Sequence, residues 1–174
     1  MNRWIAPFAL SLCLTGPAGA APLEVAPAPT AFFGLHFIDT STEGAVNGIR
    51  PDQTARTEMA AGFVAAGFAE QGFTLINLAP VQAELDRVTN PADCNGCAAR
   101  MARRLGATYA LTGEVQKVSN LILSLNLVLS DAASGRVLRA AAVDIRGNTD
   151  ESWQRGLSYL MRNRIFHDTT GGRK

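Results

Sequence analysis

The sequence predicts an α/β (α+β) domain: a mixed sheet of about five strands with helices packed on it, closing with a β-hairpin and a final helix. Three observations carry this. Apolar runs of strand composition alternate with helical stretches, the pattern of helices laid on a sheet. LILSLNLVLSDA (Leu121 to Ala132) and RVLRAAAVDIRG (Arg136 to Gly147) flank a short Ala-Ser-Gly turn and read as an antiparallel hairpin. After them, Trp153, Leu157, Leu160, Met161 and Ile165 recur on one helical stripe.

Residues 1–20, MNRWIAPFALSLCLTGPAGA, come before the domain. Arg3 supplies a positive start, Trp4 to Leu14 an apolar run, and Ala18-Gly19-Ala20 a small-x-small cleavage signal. This is the pattern of a secretory signal peptide cut after Ala20. The run is shorter than the roughly 20 residues a membrane-spanning helix needs. Leu12 stands where a lipoprotein would carry a small residue, so Cys13 is expected to leave with the signal. The expected location is the periplasm, with no transmembrane anchor after cleavage.

Each later element has its own reason. Residues 21–31 are rich in Pro and Ala and read as an extended linker. FFGLHFID (Phe32 to Asp39) is an apolar, aromatic run and opens the single domain, 32–166, as a strand. TSTEGAVNGIRPD follows as a polar loop. Gln53 to Gln71 turns helical, with Met59, Phe63 and Ala66 on one side. Gly62 and Gly67 in that helix are expected to let it lie close to the sheet. FTLINL (Phe73 to Leu78) is a second strand. Pro80 to Val88 is a short helix, broken at Asn90-Pro91. Cys97 to Leu105 is the next helix, stopped by Gly106. Ala107 to Val118 is a third strand. In the fourth, Leu121, Leu123, Leu125, Leu127 and Leu129 all point one way. Asn148 and Glu151 resemble a capping box at the start of the last helix. Residues 167–174 form a frayed tail.

Charge is uneven along the chain. Residues 21–93 carry nine acids against three bases, and residues 94–174 six acids against twelve bases. Such asymmetry can serve a partner surface, but a difference between solvated helix faces is the simpler reading. The near-neutral total argues against a nucleic-acid partner.

LGATYALTGEV and the turn LSDAASGRVL resemble elements of two bacterial envelope folds, the N-terminal domain of TolB and the curli-secretion (CsgG-like) domain. FFGLHFIDTS sits where their first strand should be. The aromatic first strand with Asp-Thr-Ser, the Cys-x-x-Cys before a helix and the hairpin together resemble an exported bacterial family of unknown function (DUF2380/DUF3280). That resemblance implies a periplasmic accessory role, often beside quinoprotein alcohol oxidation, and no defined reaction.

Cys94 and Cys97, spaced C-x-x-C, are the two cysteines of the expected mature chain. Three readings compete. A thiolate at a helix N-terminus is stabilised by the helix dipole, which would suit thiol–disulfide exchange with Cys94 as nucleophile and Cys97 as resolving thiol. Against it, Asp93 opposes a thiolate, and a polar loop rather than a strand precedes the pair. A closed zinc site wants four ligands, which here would mean adding His36 from a strand and His167 from the tail. Ala98 stands where haem attachment needs a histidine. A disulfide that fixes the Asn95-Gly96 turn needs least, in a compartment where disulfides persist. Its short loop implies less than the ~3 kcal/mol expected of a 15-residue loop.

Nucleophile-elbow, zincin, P-loop and dinucleotide motifs are absent from the sequence. Asp39, Glu114 and Asp144 lie in or beside strands and are expected on solvated edges or loop caps. Trp153 is expected in the core. The sequence therefore points to a non-enzymatic binding protein without cofactor or metal, whose partner is another periplasmic or envelope protein. The candidate contacts are the exposed residues of the Asp39 to Pro51 loop and the basic helix with Arg100, Arg103 and Arg104. The rivals are a periplasmic thiol–disulfide oxidoreductase using Cys94 and Cys97, and an oligomeric envelope assembly factor.

Overall fold

The computed structural model describes residues 25–167. The expected signal peptide, residues 21–24 of the expected linker and the tail beyond His167 lie outside the described residues. Five strands form one sheet: β1 (Pro29–Asp39), β2 (Thr74–Leu75), β3 (Tyr109–Lys117), β4 (Ile122–Asp131) and β5 (Val137–Arg146). Their order across the sheet is β2-β1-β3-β4-β5. β1 runs parallel to β2 and β3, while β3, β4 and β5 are antiparallel in turn. The helices are α1 (Thr42–Asn47), α2 (Pro51–Glu70), α3 (Gln82–Leu85), α4 (Cys97–Arg104) and α5 (Asp150–Leu160). A π-helical turn, Met161–Ile165, continues α5.

The connections decide which helix covers which face. α2 joins β1 to its neighbour on one side, and α3 and α4 lead from β2 back past β1 to β3. Crossovers of one hand that travel in opposite directions across a sheet put their helices on opposite faces. Accordingly Val64 and Phe68 of α2 pack in one core with Leu111, Val115 and the β4 leucines. Met101 and Ala102 of α4 pack in a second core with Ala31, Phe33 and Ala110. α5 returns to the α2 face, where Leu157 and Leu160 are fully buried. Each such leucine contributes about 1.5–3 kcal/mol. α4 covers only part of its own face.

β1 feeds both cores because it is bulged. Phe32 pairs with Leu111 and Leu35 with Gly113, so β1 carries one extra residue. Gly34 takes up the kink at φ 79°. Before it Ala31 and Phe33 face α4; after it Leu35 and Phe37 face α2 and α5.

Several expectations are corrected. β1 starts at Pro29, inside the expected linker, because Pro29 and Thr30 pair with β2 and Thr30 with Tyr109. The second strand shrinks to two residues: Asn77 Oδ1 accepts from the Ala79 N–H and turns the chain away. The polar loop after β1 contains α1, which buries none of its residues and so leaves no apolar period to read. In α2 the buried stripe is Ala60, Val64 and Phe68; Met59 and Phe63 are half-buried and Ala66 is exposed. Phe68 fixes that roll by meeting Phe73 and Phe166 edge-on. Gly67 lies against Met161, not the sheet, and Gly62 faces open space.

The β4 leucine row holds at Leu123, Leu125, Leu127 and Leu129, all fully buried, but Leu121 stands out of it in the turn. The cap of α5 is Thr149 with Ser152: Thr149 Oγ1 accepts from the Ser152 N–H and Ser152 Oγ from the Thr149 N–H. Asn148 serves Trp153 instead, whose Nε1 donates to its Oδ1 at 3.0 Å.

Candidate functional site

Two places hold residues that the sequence pointed to: Asp39 with the loop after it, and the cysteine pair with the α4 arginines. The first lies at the end of the sheet where β1 runs into α1. Lys117, the last residue of β3, has no exposed side-chain surface. Its ammonium donates to Asp39 Oδ2 and to Glu43 Oε2, each at 2.9 Å. Asp39 also accepts from the Ser41 N–H and hydroxyl. Gly44 makes this packing possible, since a Cβ there would lie 2.3 Å from the Asp39 carboxyl carbon. Arg50 braces the outside through Glu43 and Asp52.

The charges are mutually held. Burial works to raise the Asp39 carboxyl, but the hydrogen bonds from Ser41 and Lys117 outweigh it and keep the group below its ordinary value. Burial likewise works to lower the Lys117 ammonium, and the two carboxylates raise it instead. Hydrogen bonds from Lys117 and Asn120 hold Glu43 below its ordinary value.

The two segments that this network joins carry exposed apolar side chains. Val46 is 77% exposed and Leu121 71%, and Ile49, Val118 and Ile122 are exposed with them. Val46 and Ile49 come from α1 and the residues after it; Val118 and Leu121 come from the β3–β4 turn and Ile122 opens β4. Glu43 ties the two pieces together through Lys117 and Asn120.

The second place is the strap before α4. Cys94 and Cys97 are disulfide-bonded, with Cα atoms 5.5 Å apart. Cys97 is buried in the α4 core and Cys94 is half-buried. Asn90 pins the strap to the sheet by donating to Glu114 Oε2 at 2.8 Å. The three arginines of α4 are exposed but differ. Arg100 donates from Nη1 to the Asn95 carbonyl at 2.9 Å, and Arg104 pairs with Glu84. Arg100 and Arg103 border a groove of about 290 Å³ against the β4–β5 turn.

Other expected residues do not converge. Asp39 is not on a solvated edge but enclosed with Lys117, while it does cap the loop after β1 by accepting from the Ser41 N–H. Glu114 is held by Asn90, and Asp144 is exposed on β5. His36 is half-buried beside Glu114 on the sheet face opposite Phe37, and His167 lies past the last turn. Trp153 is fully buried and stacks on Phe37 at 6.0 Å. Among the described residues no group of three or more His, Cys, Asp or Glu is gathered as metal ligands. No helix among them is long and apolar enough to cross a membrane. Lys117 was not singled out from the sequence. Its signal is there: it continues the inward row Leu111, Gly113, Val115, where a lysine demands buried counter-charges.

The family model DUF3280, described as "Protein of unknown function (DUF2380)", matches residues 28–165. The chain belongs to that family. No curated protein matches it. Among solved structures it is similar to the lipoprotein GNA1162 from Neisseria meningitidis, with TM-score 0.50 and 19% identity over 83% of this chain and 100% of that one. The LpoB C-terminal domain from Salmonella enterica gives 0.48 and 16% over 70% and 84%. The PelC dodecamer from Paraburkholderia phytofirmans gives 0.49 and 15% over 82% and 91%. The likeness to GNA1162 shows the fold: a mixed five-stranded sheet with helices on it.

Proposed function

We propose that this chain is an exported envelope protein that works by binding another envelope protein and catalyses no reaction of its own. The observation that carries this is the set of exposed apolar side chains Val46, Ile49, Val118, Leu121 and Ile122 on the two segments that Glu43 joins through Lys117 and Asn120. Five exposed apolar side chains from two separate segments, set on a buried ion network, are what a partner surface requires and what water disfavours. The rigid base matters because a preordered surface loses less conformational entropy on binding. Arg100 and Arg103 form a second, electrostatic contact; Arg104 is tied to Glu84. From the family resemblance, the partner we favour belongs to a quinoprotein alcohol-oxidation system. The periplasm is the location the signal-peptide pattern supports, and an oligomer of this chain is the rival assembly.

A photo-crosslinking residue at Leu121, introduced in cells, tests this reading. The expected result is one discrete crosslinked partner, lost when Val46 and Ile49 are changed to Asp. Absence of any crosslink at Leu121, beside normal export and folding, overturns it. A second reading, thiol–disulfide exchange, draws on the half-buried Cys94 sulfur beside the buried Cys97. A reduction potential between about −270 and −120 mV would favour that reading, and one below about −300 mV removes it.

A further inference from the structure

The groove beside Arg100 and Arg103 is continuous with a second hollow of about 180 Å³ on the part of the sheet that α4 leaves uncovered; Gly96, Ala99 and Gly135 line both. The lining they share is made of small residues, and Val128 and Val137 also line the second hollow. No carboxylate lines either hollow. Asp131, at the foot of the turn, has its carboxylate taken up by the Ser134 N–H and hydroxyl at 2.7 and 2.5 Å. Arg103 has no ion pair or side-chain hydrogen bond among the described residues, and Arg100 spends one nitrogen on the Asn95 carbonyl. Two guanidinium groups thus border the groove without a counter-charge.

We infer that this groove binds an extended acidic segment of a partner protein, with a carboxylate on each arginine and small side chains against the glycine and alanine floor. The spacing supports it. Residues three apart on a helix carry Cβ atoms about 5–6 Å apart. Alternate residues of an extended chain, which point the same way, are roughly 6.6 Å apart. An acid-x-acid segment therefore presents its carboxylates in step with Arg100 and Arg103, and guanidinium takes carboxylate with charge-assisted, paired hydrogen bonds. The inference rests on the reading of this protein as a binding module and names the chemistry of one partner segment.

The test uses the purified protein and a fluorescein-labelled seven-residue peptide of alternating alanine and glutamate, followed by anisotropy. Saturable binding is expected, weakening with salt. Arg100→Gln and Arg103→Gln should each weaken it up to about fivefold, the range of an exposed ion pair, and Arg100→Gln/Arg103→Gln together more than either alone. The double variant Arg162→Gln/Arg164→Gln, exposed and basic but distant in the fold, should change it less than about twofold. A peptide with glutamine for glutamate should not bind. The inference is overturned if no saturable binding appears, if the Arg162/Arg164 variant loses as much as the groove variants, or if Arg103→Gln binds as well as wild type. Inorganic phosphate bound with the same arginine dependence, beside no peptide binding, would also overturn it in favour of a plain anion site. Leu121 lies outside this groove, so failure here and failure of the crosslinking test are read separately.

Discussion

Lys117 Nζ lies 2.9 Å from Asp39 Oδ2, with the lysine side chain 0% and the aspartate 3% exposed. The two come from parallel neighbours, β1 and β3, and face each other as the last pair of their register. Breaking such a pair by removing one partner leaves an uncompensated buried charge. Lys117→Met should therefore cost about 3–5 kcal/mol in urea denaturation. The double variant Asp39→Asn/Lys117→Met should cost less than the sum of the two single changes. A Lys117→Met protein as stable as wild type would contradict the enclosed pair.

The same network sets a pH window. Asp39 is depressed in the folded state, so its contribution is fully present above about pH 4 and is lost as pH falls through its lower folded value. Lys117 is raised, so its contribution is fully present below about pH 10.4 and is lost as pH rises through its folded value. Stability measured by urea melts should form a plateau between these limits. In Lys117→Met the alkaline loss should shrink.

Gly113 is where Leu35 crosses β3. A Cβ on Gly113 would lie 2.2 Å from Leu35 Cδ2 and 2.9 Å from Leu127 Cδ2. Gly113→Ala should cost about 1–3 kcal/mol by overpacking. Trimming Leu35 in Gly113→Ala/Leu35→Ala should remove the closer of the two clashes and leave the Leu127 contact, so the pair should be non-additive. Simple additivity in thermal or urea melts would count against this contact.

Asn148 and Thr149 stand side by side at the head of α5 with different tasks. Thr149→Ala removes the N-cap and should cost about 0.5–2 kcal/mol. Asn148→Ala leaves the buried Trp153 N–H without its acceptor and should cost about 1–3 kcal/mol. Tryptophan fluorescence should separate them, shifting in the Asn148 variant and not in the Thr149 variant.

The disulfide closes a loop of three-residue separation. Cys94→Ser/Cys97→Ser should lower stability by less than about 3 kcal/mol and leave unfolding cooperative. A collapse to an unfolded chain would give the bond a larger part in folding than its loop length allows.

Much of the architecture was legible because it repeats. The leucine row of β4, the Trp153 stripe of α5 and the stop at Gly106 are periodic or local signals, and periodicity survives in one dimension. The α4 arginines were legible as a charge cluster for the same reason. What was lost lay in relations between distant segments. The roll of α2 depends on Phe68 meeting Phe73 and Phe166, and the role of Asn148 depends on the indole of Trp153 arriving beside it.

By itself, then, the sequence determined the longer strands and helices, the mixed sheet and the family to which residues 28–165 belong, because alternation, helical period and turn residues are written along the chain, whereas the short α1 and the two-residue β2 carry no such period. Only the tertiary structure decided that Asp39 is an enclosed partner of Lys117, that Glu43 ties α1 to the β3–β4 turn, and that Arg100 and Arg103 border a groove while Arg104 pairs with Glu84. The physical reason is one of distance. Charge pairing and surface shape depend on which atoms lie within a few ångströms, and Asp39 and Lys117 become neighbours only when β1 and β3 lie side by side in the sheet.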